Sequence, residues 1–311
     1  MTSLRSTLKS ATALAAFTLS FPMASWAEEP IPVVATFSIL GDMVERIGGE
    51  HIALTTLVGP DGDAHVYQPT PKAARLVAES DVLFLNGLDF EGWLERLAEA
   101  ASFDGAMVVA TNGVVPIAFD DHDDEKHDDH AGHDHGAFDP HAWQSLENAV
   151  IYANNIAAGL AQADPENAGD YYANRAAFVA EVEMLSADIE AMMKSLPADK
   201  RTVVTQHDAF GYFAATYDLT FVAPQGVSTE SEVSAGDVAA LITQIREESI
   251  SAVFIESITD NRMMKQIANE TGATIGGTLY SDALSAKSGP ASTYLDMMRH
   301  NATTLFDALE N

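Results

Sequence analysis

Histidine is the residue type in this chain best placed to do chemistry. Ten histidines are present and cysteine is absent, so any bound metal must be held by nitrogen and oxygen, and cysteine nucleophiles are excluded. Five of the ten, His122, His127, His130, His133 and His135, fall in one segment, DDHDDEKHDDHAGHDHG over 120–136. Two more, His51 and His300, have no ligand-type company and read as structural or solvated. The other three sit in loop-like contexts: His65 in GPDGDAHVYQPTP, His141 in FDPHAW and His207 in VVTQHDAFGYF. Asp282, in LYSDALS, is a carboxylate in a comparable setting. Three imidazoles and one carboxylate complete a tetrahedral shell, the closed arrangement zinc prefers. A catalytic zinc keeps a position open for water or substrate, and the chain lacks HExxH, the signature of one protease class. The expectation is a binding protein and not an enzyme.

These side chains can meet only if the elements that carry them do. Short β-rich runs at 33–37, 51–57, 81–85 and 106–110 alternate with helical patterns at 38–47, 71–79 and 91–101, the layout of a parallel sheet. From 146 to 196 no strand is expected. That stretch reads as two helices broken near Asp164-Pro165, the second long enough to bridge lobes, with Tyr172, Ala176, Val179 and Val182 as apolar positions at helical spacing. Strands at 202–205, 219–223, 251–255 and 274–279 then alternate with helices at 208–217, 235–248, 260–271 and 291–309. The fold class is therefore α/β: two lobes, each a small parallel sheet flanked by helices, joined by a long linker helix. The expected divisions are 28–145, 146–197 and 198–311. In open parallel sheets, ligands gather beyond the carboxyl ends of strands. His65 follows the second strand, His207 and Asp282 follow the first and last strands of the second lobe, and His141 stands where the chain leaves the first. All four are expected at one cleft. Glu256 and Asp208, at neighbouring positions, are expected to support the site from outside its shell, with Asp208 equally placed to cap the helix after it.

Composition narrows the setting. Arg5 and Lys9, the apolar stretch from Ala11 to Phe21, and Ser25-Trp26-Ala27 read as a secretory signal peptide over 1–27, so the protein is expected in the periplasm. The leader's apolar core is too short for a membrane helix. A net charge of −30 repels nucleic acid and anionic lipid and attracts cations. The 120–136 segment has too little apolar surface to fold alone and is expected to be a mobile loop that collects zinc weakly.

At these residues the sequence resembles the metal-binding components of zinc and manganese ABC importers, the ZnuA/TroA-type solute-binding proteins. The likeness runs through TFSILGDMVERIGGE, GDAHVYQPTP, NGLDFEGW, DPHAW, HDAFGYF and YSDALS. It implies two four-stranded lobes joined by a rigid helix, with metal ligands at His65, His141, His207 and Asp282. It also implies limited lobe movement and delivery to a membrane permease with its ATPase. Manganese members typically carry glutamate where this chain has His207, as a harder metal wants more oxygen. The resemblance therefore points to the zinc-specific branch, with one tight Zn2+ site. Zinc members commonly carry a His- and acid-rich loop where 120–136 sits; the expectation for this one is that it holds zinc at weaker sites or receives it from a periplasmic zinc metallochaperone. Some zinc relatives have an acidic residue beside the first ligand; Ala64 stands there, which puts more weight on Asp282. The expected protein is a monomer with no nucleic-acid partner. The rival readings are a manganese or broad divalent-metal component of an importer, a periplasmic zinc buffer, and a metallohydrolase.

Overall fold

The computed structural model describes residues 29–118, 138–230 and 233–310. The signal-peptide reading of 1–27 and the His-rich segment 120–136 lie outside them. Through the first half the chain runs β1 (Ile31–Phe37), α1 (Ser38–Gly48), β2 (Ile52–Val58), α2 (Pro71–Ala78), β3 (Val82–Leu85), α3 (Leu94–Ala101) and β4 (Ala106–Val109). Two helices follow, α4 (Leu146–Ala163) and α5 (Ala168–Lys194). The second half runs β5 (Thr202–Val204), α6 (Gly211–Tyr217), β6 (Thr220–Val222), α7 (Ala235–Glu247), β7 (Ala252–Glu256), α8 (Arg262–Thr271), β8 (Thr274–Leu279) and α9 (Tyr294–Leu309).

The strands form two four-stranded sheets in the orders β2-β1-β3-β4 and β6-β5-β7-β8, with every pairing parallel. Both sheets reverse their winding between the first and third strand, the point at which such sheets leave a crevice beyond their carboxyl ends. The central strands are legible as apolar runs because helices cover both faces: Val33 to Phe37 are all buried, as a parallel interior requires. The β7–β8 register slips between Val253 and Phe254. Gly276 lies at this slip, where a Cβ would come within 2.6 Å of the Phe254 ring. That close approach accounts for a glycine in the middle of TIGGTL.

Pro165 ends α4 as expected, with the Asp164 carboxylate accepting from Tyr171 and Asn167. The 27 residues of α5 extend about 40 Å and touch both halves. Arg46 of α1 pairs with Glu181 at 2.7 Å and sits 5.2 Å from the Phe178 ring centroid. At the other end Arg201 donates to the Met193 carbonyl at 3.0 Å. The buried stripe of α5 is Tyr171, Phe178, Val182, Leu185, Ile189 and Met193. Val182 is buried and Val179 packs against the core as expected, but Tyr172 is half-exposed and Ala176 is exposed, because near its start the helix turns Tyr171 and Phe178 to its neighbours instead. A connected apolar core runs from β1 through α4 and α5 to α9, and a smaller one lies between β7, α7 and α8. Among the described residues no helix is long and apolar enough to cross a membrane.

Three helices begin three residues later than their periodicity implies, at Leu94, Gly211 and Tyr294. The Glu91 carboxylate turns back to accept from Asn86 N, Gly87 N and Thr36 Oγ1, which holds its own segment out of α3. Thr293 is the cap of α9, accepting from Asp296 N. Residues His207 to Phe210 form a loop, and Phe210 precedes α6 with no side-chain cap. Asp208 is therefore not a helix cap.

Candidate metal centre

Each of the four expected ligands is set by a separate local device. Trp93 Nε1 donates to the Ala64 carbonyl at 2.8 Å, the His65 N–H donates to Asp63 Oδ1 at 2.9 Å, and the His65 ring meets Phe90 edge-on with centroids 4.7 Å apart. Before His141, an antiparallel bridge joins Ala118 to Phe138, and Asn86 Nδ2 donates to the Pro140 carbonyl at 2.9 Å. Asp139 Oδ1 then lies 2.9 Å from the His141 N–H and 2.7 Å from its Nδ1. Gly211 permits this placement, since a Cβ there would stand 2.5 Å from Asp139 Oδ2. His207 depends on Glu256 at the end of β7. Glu256 Oε1 accepts from Gln206 N at 2.8 Å and His207 N at 2.9 Å. Its Oε2 is 2.5 Å from His207 Nδ1, a close ion-pair contact off the line of a good hydrogen bond. Asp282 is carried by a loop whose Ser281 carbonyl accepts from Trp143 Nε1 and Gln144 Nε2 at 2.9 and 2.8 Å.

The four side chains converge. His65 is 7% exposed and the other three are fully buried. Asp282 lies 3.3 Å from His65 Nε2, 3.5 Å from His141 Nε2 and 3.2 Å from His207 Nε2, and one donor atom from each residue falls within 4.8 Å of all the others. A tetrahedral centre with bonds of about 2.0–2.1 Å separates its donors by roughly 3.3–3.4 Å; Asp282 Oδ2 already stands at about that spacing from His65 Nε2 and His207 Nε2, while the contact to His141 Nε2 is made by Oδ1. All three Nε2 atoms and both Asp282 oxygens are buried without a hydrogen-bond partner among the described residues. Five orphaned polar atoms at one point would be a heavy penalty in a protein interior, unless a cation completes them.

Charge is arranged to match. Burial pushes the Asp282 carboxyl upward, but His207 and His141 outweigh it and hold the group well below the usual carboxylate range. Burial pulls His207 downward, and the carboxylates of Glu256 and Asp282 outweigh that to hold it well above the ordinary imidazole value. Without an ion, protonated His207 therefore balances the surrounding carboxylates. Asp208 is half-buried and makes no side-chain hydrogen bond among the described residues; burial and the nearby Asp139 push it up. It contributes charge near the cluster, whereas Glu256 touches it.

Asp139 is the neighbour that sequence reasoning missed. A signal was present: Asp63 and Asp139 each precede a histidine by two residues, in DAH and DPH, and each accepts the N–H of that histidine, the local turn that aspartate forms readily. The loop histidines His122, His127, His130, His133 and His135 lie outside the described residues. A cleft of about 980 Å3 opens beside the cluster, lined by Tyr67, Phe90, Trp93, Val227 and Glu230 among others. Of the four clustered residues, only His65 lines it.

Fold and cluster together define a helix-linked, two-lobed α/β binding protein with a closed metal-type donor set between its sheets. The profile of the family described as "Zinc-uptake complex component A periplasmic" matches residues 33–308, and the chain belongs to that family, whose members are solute-binding transporter components and not enzymes. Over 282 residues the chain is 31% identical to the manganese-binding lipoprotein MntA of Halalkalibacterium halodurans, covering 90% of this chain and 89% of that protein. It is 33% identical to the iron-binding protein YfeA of Yersinia pestis over 273 residues, 88% of this chain and 84% of YfeA. The periplasmic zinc-binding protein TroA of Treponema pallidum superimposes with a TM-score of 0.81 at 27% identity, covering 91% of this chain and all of TroA.

Proposed function

We propose that this protein holds one Zn2+ ion in the periplasm, through His65, His141, His207 and Asp282, and delivers it to an ABC importer made of a membrane permease and its ATPase. The observation that carries this reading is the convergence of unsatisfied buried donors from four separate loops. Asp282 reduces the charge of the ion to +1, and Asp139 and Glu256 bring the assembly to −1 while fixing the ring orientations of His141 and His207. These roles make the two carboxylates supports of the site. Asp208 adds to the field without orienting a ring.

Zinc is favoured over manganese by the donor set: three nitrogens and one oxygen suit a borderline metal, and a harder metal asks for more oxygen. The second reading, manganese or a broader divalent range, is favoured by the relatives, since one is a manganese-binding lipoprotein and another an iron-binding protein. Metal analysis of purified protein, followed by competition titration of the metal-free form with Zn2+ and Mn2+, separates them. One tight Zn2+ per chain, lost in His207→Ala, is expected. Tighter Mn2+ binding would refute the zinc reading, and no tight ion of either kind would refute the cluster as a binding site. The 120–136 loop is proposed to hold further zinc weakly, or to receive it from a periplasmic metallochaperone. Its deletion is expected to leave the one tight site and abolish the weak ones. Gel filtration is expected to find a monomer.

A further inference from the structure

His65 is held differently from the other two imidazoles. Among the described residues His141 and His207 each have a carboxylate at Nδ1, whereas His65 is gripped through its backbone by Asp63. The second oxygen of that carboxylate reaches the other half of the chain: Thr229 Oγ1 donates to Asp63 Oδ2 at 2.7 Å. Thr229 is itself tied to the His207 segment. Its carbonyl accepts from Gln225 Nε2 at 3.1 Å, Gln225 pairs in parallel with His207, and Asp208 N donates to the Gln225 carbonyl at 3.1 Å. A hydrogen-bonded path thus joins the backbone of one clustered histidine to that of another in the opposite half.

The path runs beside the cleft. Val227, Ser228 and Glu230, which flank Thr229 in sequence, line the cleft with His65. Elsewhere near the cluster the halves are tied beside Asp282, where Asp61 N donates to the Leu284 carbonyl at 2.8 Å and Leu284 N donates to Ser38 Oγ at 2.9 Å, and beside His141, where the Tyr212 hydroxyl accepts from Ile117 N at 3.2 Å and donates to the Asp139 carbonyl at 3.1 Å. Among the described residues the cluster is therefore anchored at Asp282 and at His141, and the side chain that grips the His65 backbone meets the other half through its hydrogen bond to Thr229.

We infer that Asp63 and Thr229 form a latch: two positioning residues that hold His65 closed over the ion and whose opening sets the rate of ion exchange through the cleft. The inference rests on the proposed role of His65 as a ligand. Both residues are half-buried, so the latch can open to water at modest cost, whereas parting the buried contacts around Asp282 cannot. Loss of a hydrogen bond to a charged acceptor is expected to speed release about tenfold, the lower end of what such bonds contribute.

Thr229→Val removes the donor and keeps the shape; Thr229→Ser restores the donor. Zinc-loaded protein mixed with excess chelator in a stopped-flow instrument is expected to release Zn2+ about tenfold faster in Thr229→Val, with stoichiometry still one per chain, and within twofold of wild type in Thr229→Ser. Release from Thr229→Val at the wild-type rate, or equal acceleration in both variants, overturns the latch. Hydrogen exchange of the 59–67 segment in metal-free protein gives a readout that needs no ion. It should quicken in Thr229→Val and not in Thr229→Ser, and unchanged exchange also overturns the proposal. If wild-type protein holds no tight zinc, the proposed function fails, and the exchange measurement alone decides the latch.

Discussion

Asp139→Asn is expected to weaken zinc binding by about ten- to a hundredfold without changing the stoichiometry. Asp139 Oδ1 is 2.7 Å from His141 Nδ1; adding the width of an imidazole ring and a metal–nitrogen bond of about 2.0–2.1 Å puts the carboxylate roughly 6–7 Å from the ion. A single negative charge and a divalent cation attract across that distance by about 5 kcal/mol at an effective dielectric constant near 20. That figure is a ceiling. Asparagine still offers an oxygen to the His141 N–H and Nδ1, so the ring keeps its orientation. What remains is about 1.4–2.7 kcal/mol, the ten- to hundredfold range.

The assay is competition against a chromophoric zinc chelator at pH 7.5, with Asp139→Ala in parallel. Alanine loses both charge and orientation and is expected to bind more weakly than asparagine. An Asp139→Asn protein within threefold of wild type, in a background where His141→Ala abolishes binding, would show that the carboxylate does not act on the ion through the ring.

Three further outcomes are expected. Burial pushes the Asp42 carboxyl from 3.8 to about 6, so the folded state binds its proton more tightly than the unfolded chain; that contribution is complete below pH 3.8 and is lost as pH rises through 6, by at most about 3 kcal/mol. Asp42→Asn keeps an acceptor for the Tyr294 N–H and should be the more stable protein in urea at pH 7.5 but not near pH 4; equal stability at both would refute the argument. Gly211→Ala forces its Cβ against Asp139 Oδ2 and should cost affinity together with about 1–3 kcal/mol of stability, with strong non-additivity in a double-mutant cycle with Asp139→Asn; additive effects would mean that the two do not share a contact. Because zinc must displace the proton that the neighbouring carboxylates hold on His207, calorimetry at pH 7 in buffers of different ionisation enthalpy should detect about one proton released per ion, and no buffer dependence would refute it.

Much of this architecture is legible in the sequence, for a physical reason. Strands buried on both faces must be continuous apolar runs, as in Val33–Phe37 and Ala252–Ile255, and the covering helices carry a period that strands do not. The convergence of His65, His141, His207 and Asp282 is legible because strand ends in parallel sheets face one crevice, so four loops after strands share a destination even when 217 residues separate the first from the last. Contacts that depend on rotamers and on close approach are not legible. On α5 Val182 is buried as expected, but Tyr171 and not Tyr172 is the buried tyrosine, a choice between adjacent positions that helical period alone cannot resolve. Asp208 looks like a cap beside a helix that in fact begins at Gly211. Asp139 is hidden for the opposite reason: its place against His141 depends on the absence of a side chain 72 residues away, at Gly211.

That dependence orders the parts of the site. Ligand type can be read from residue identity and position, but the tautomer and angle of each imidazole are set by what touches its other nitrogen. For His141 and His207 that partner is a buried carboxylate, which fixes the ring before an ion arrives. For His65 the constraint is a backbone bond shared with a residue of the other half. Two rings are thus braced by buried carboxylates on their second nitrogens, while the third is held through its backbone by a bond shared across the halves. A site that must both hold an ion and surrender it needs one yielding ligand, and the cleft opens at the one imidazole of the three whose second nitrogen has no carboxylate partner among the described residues.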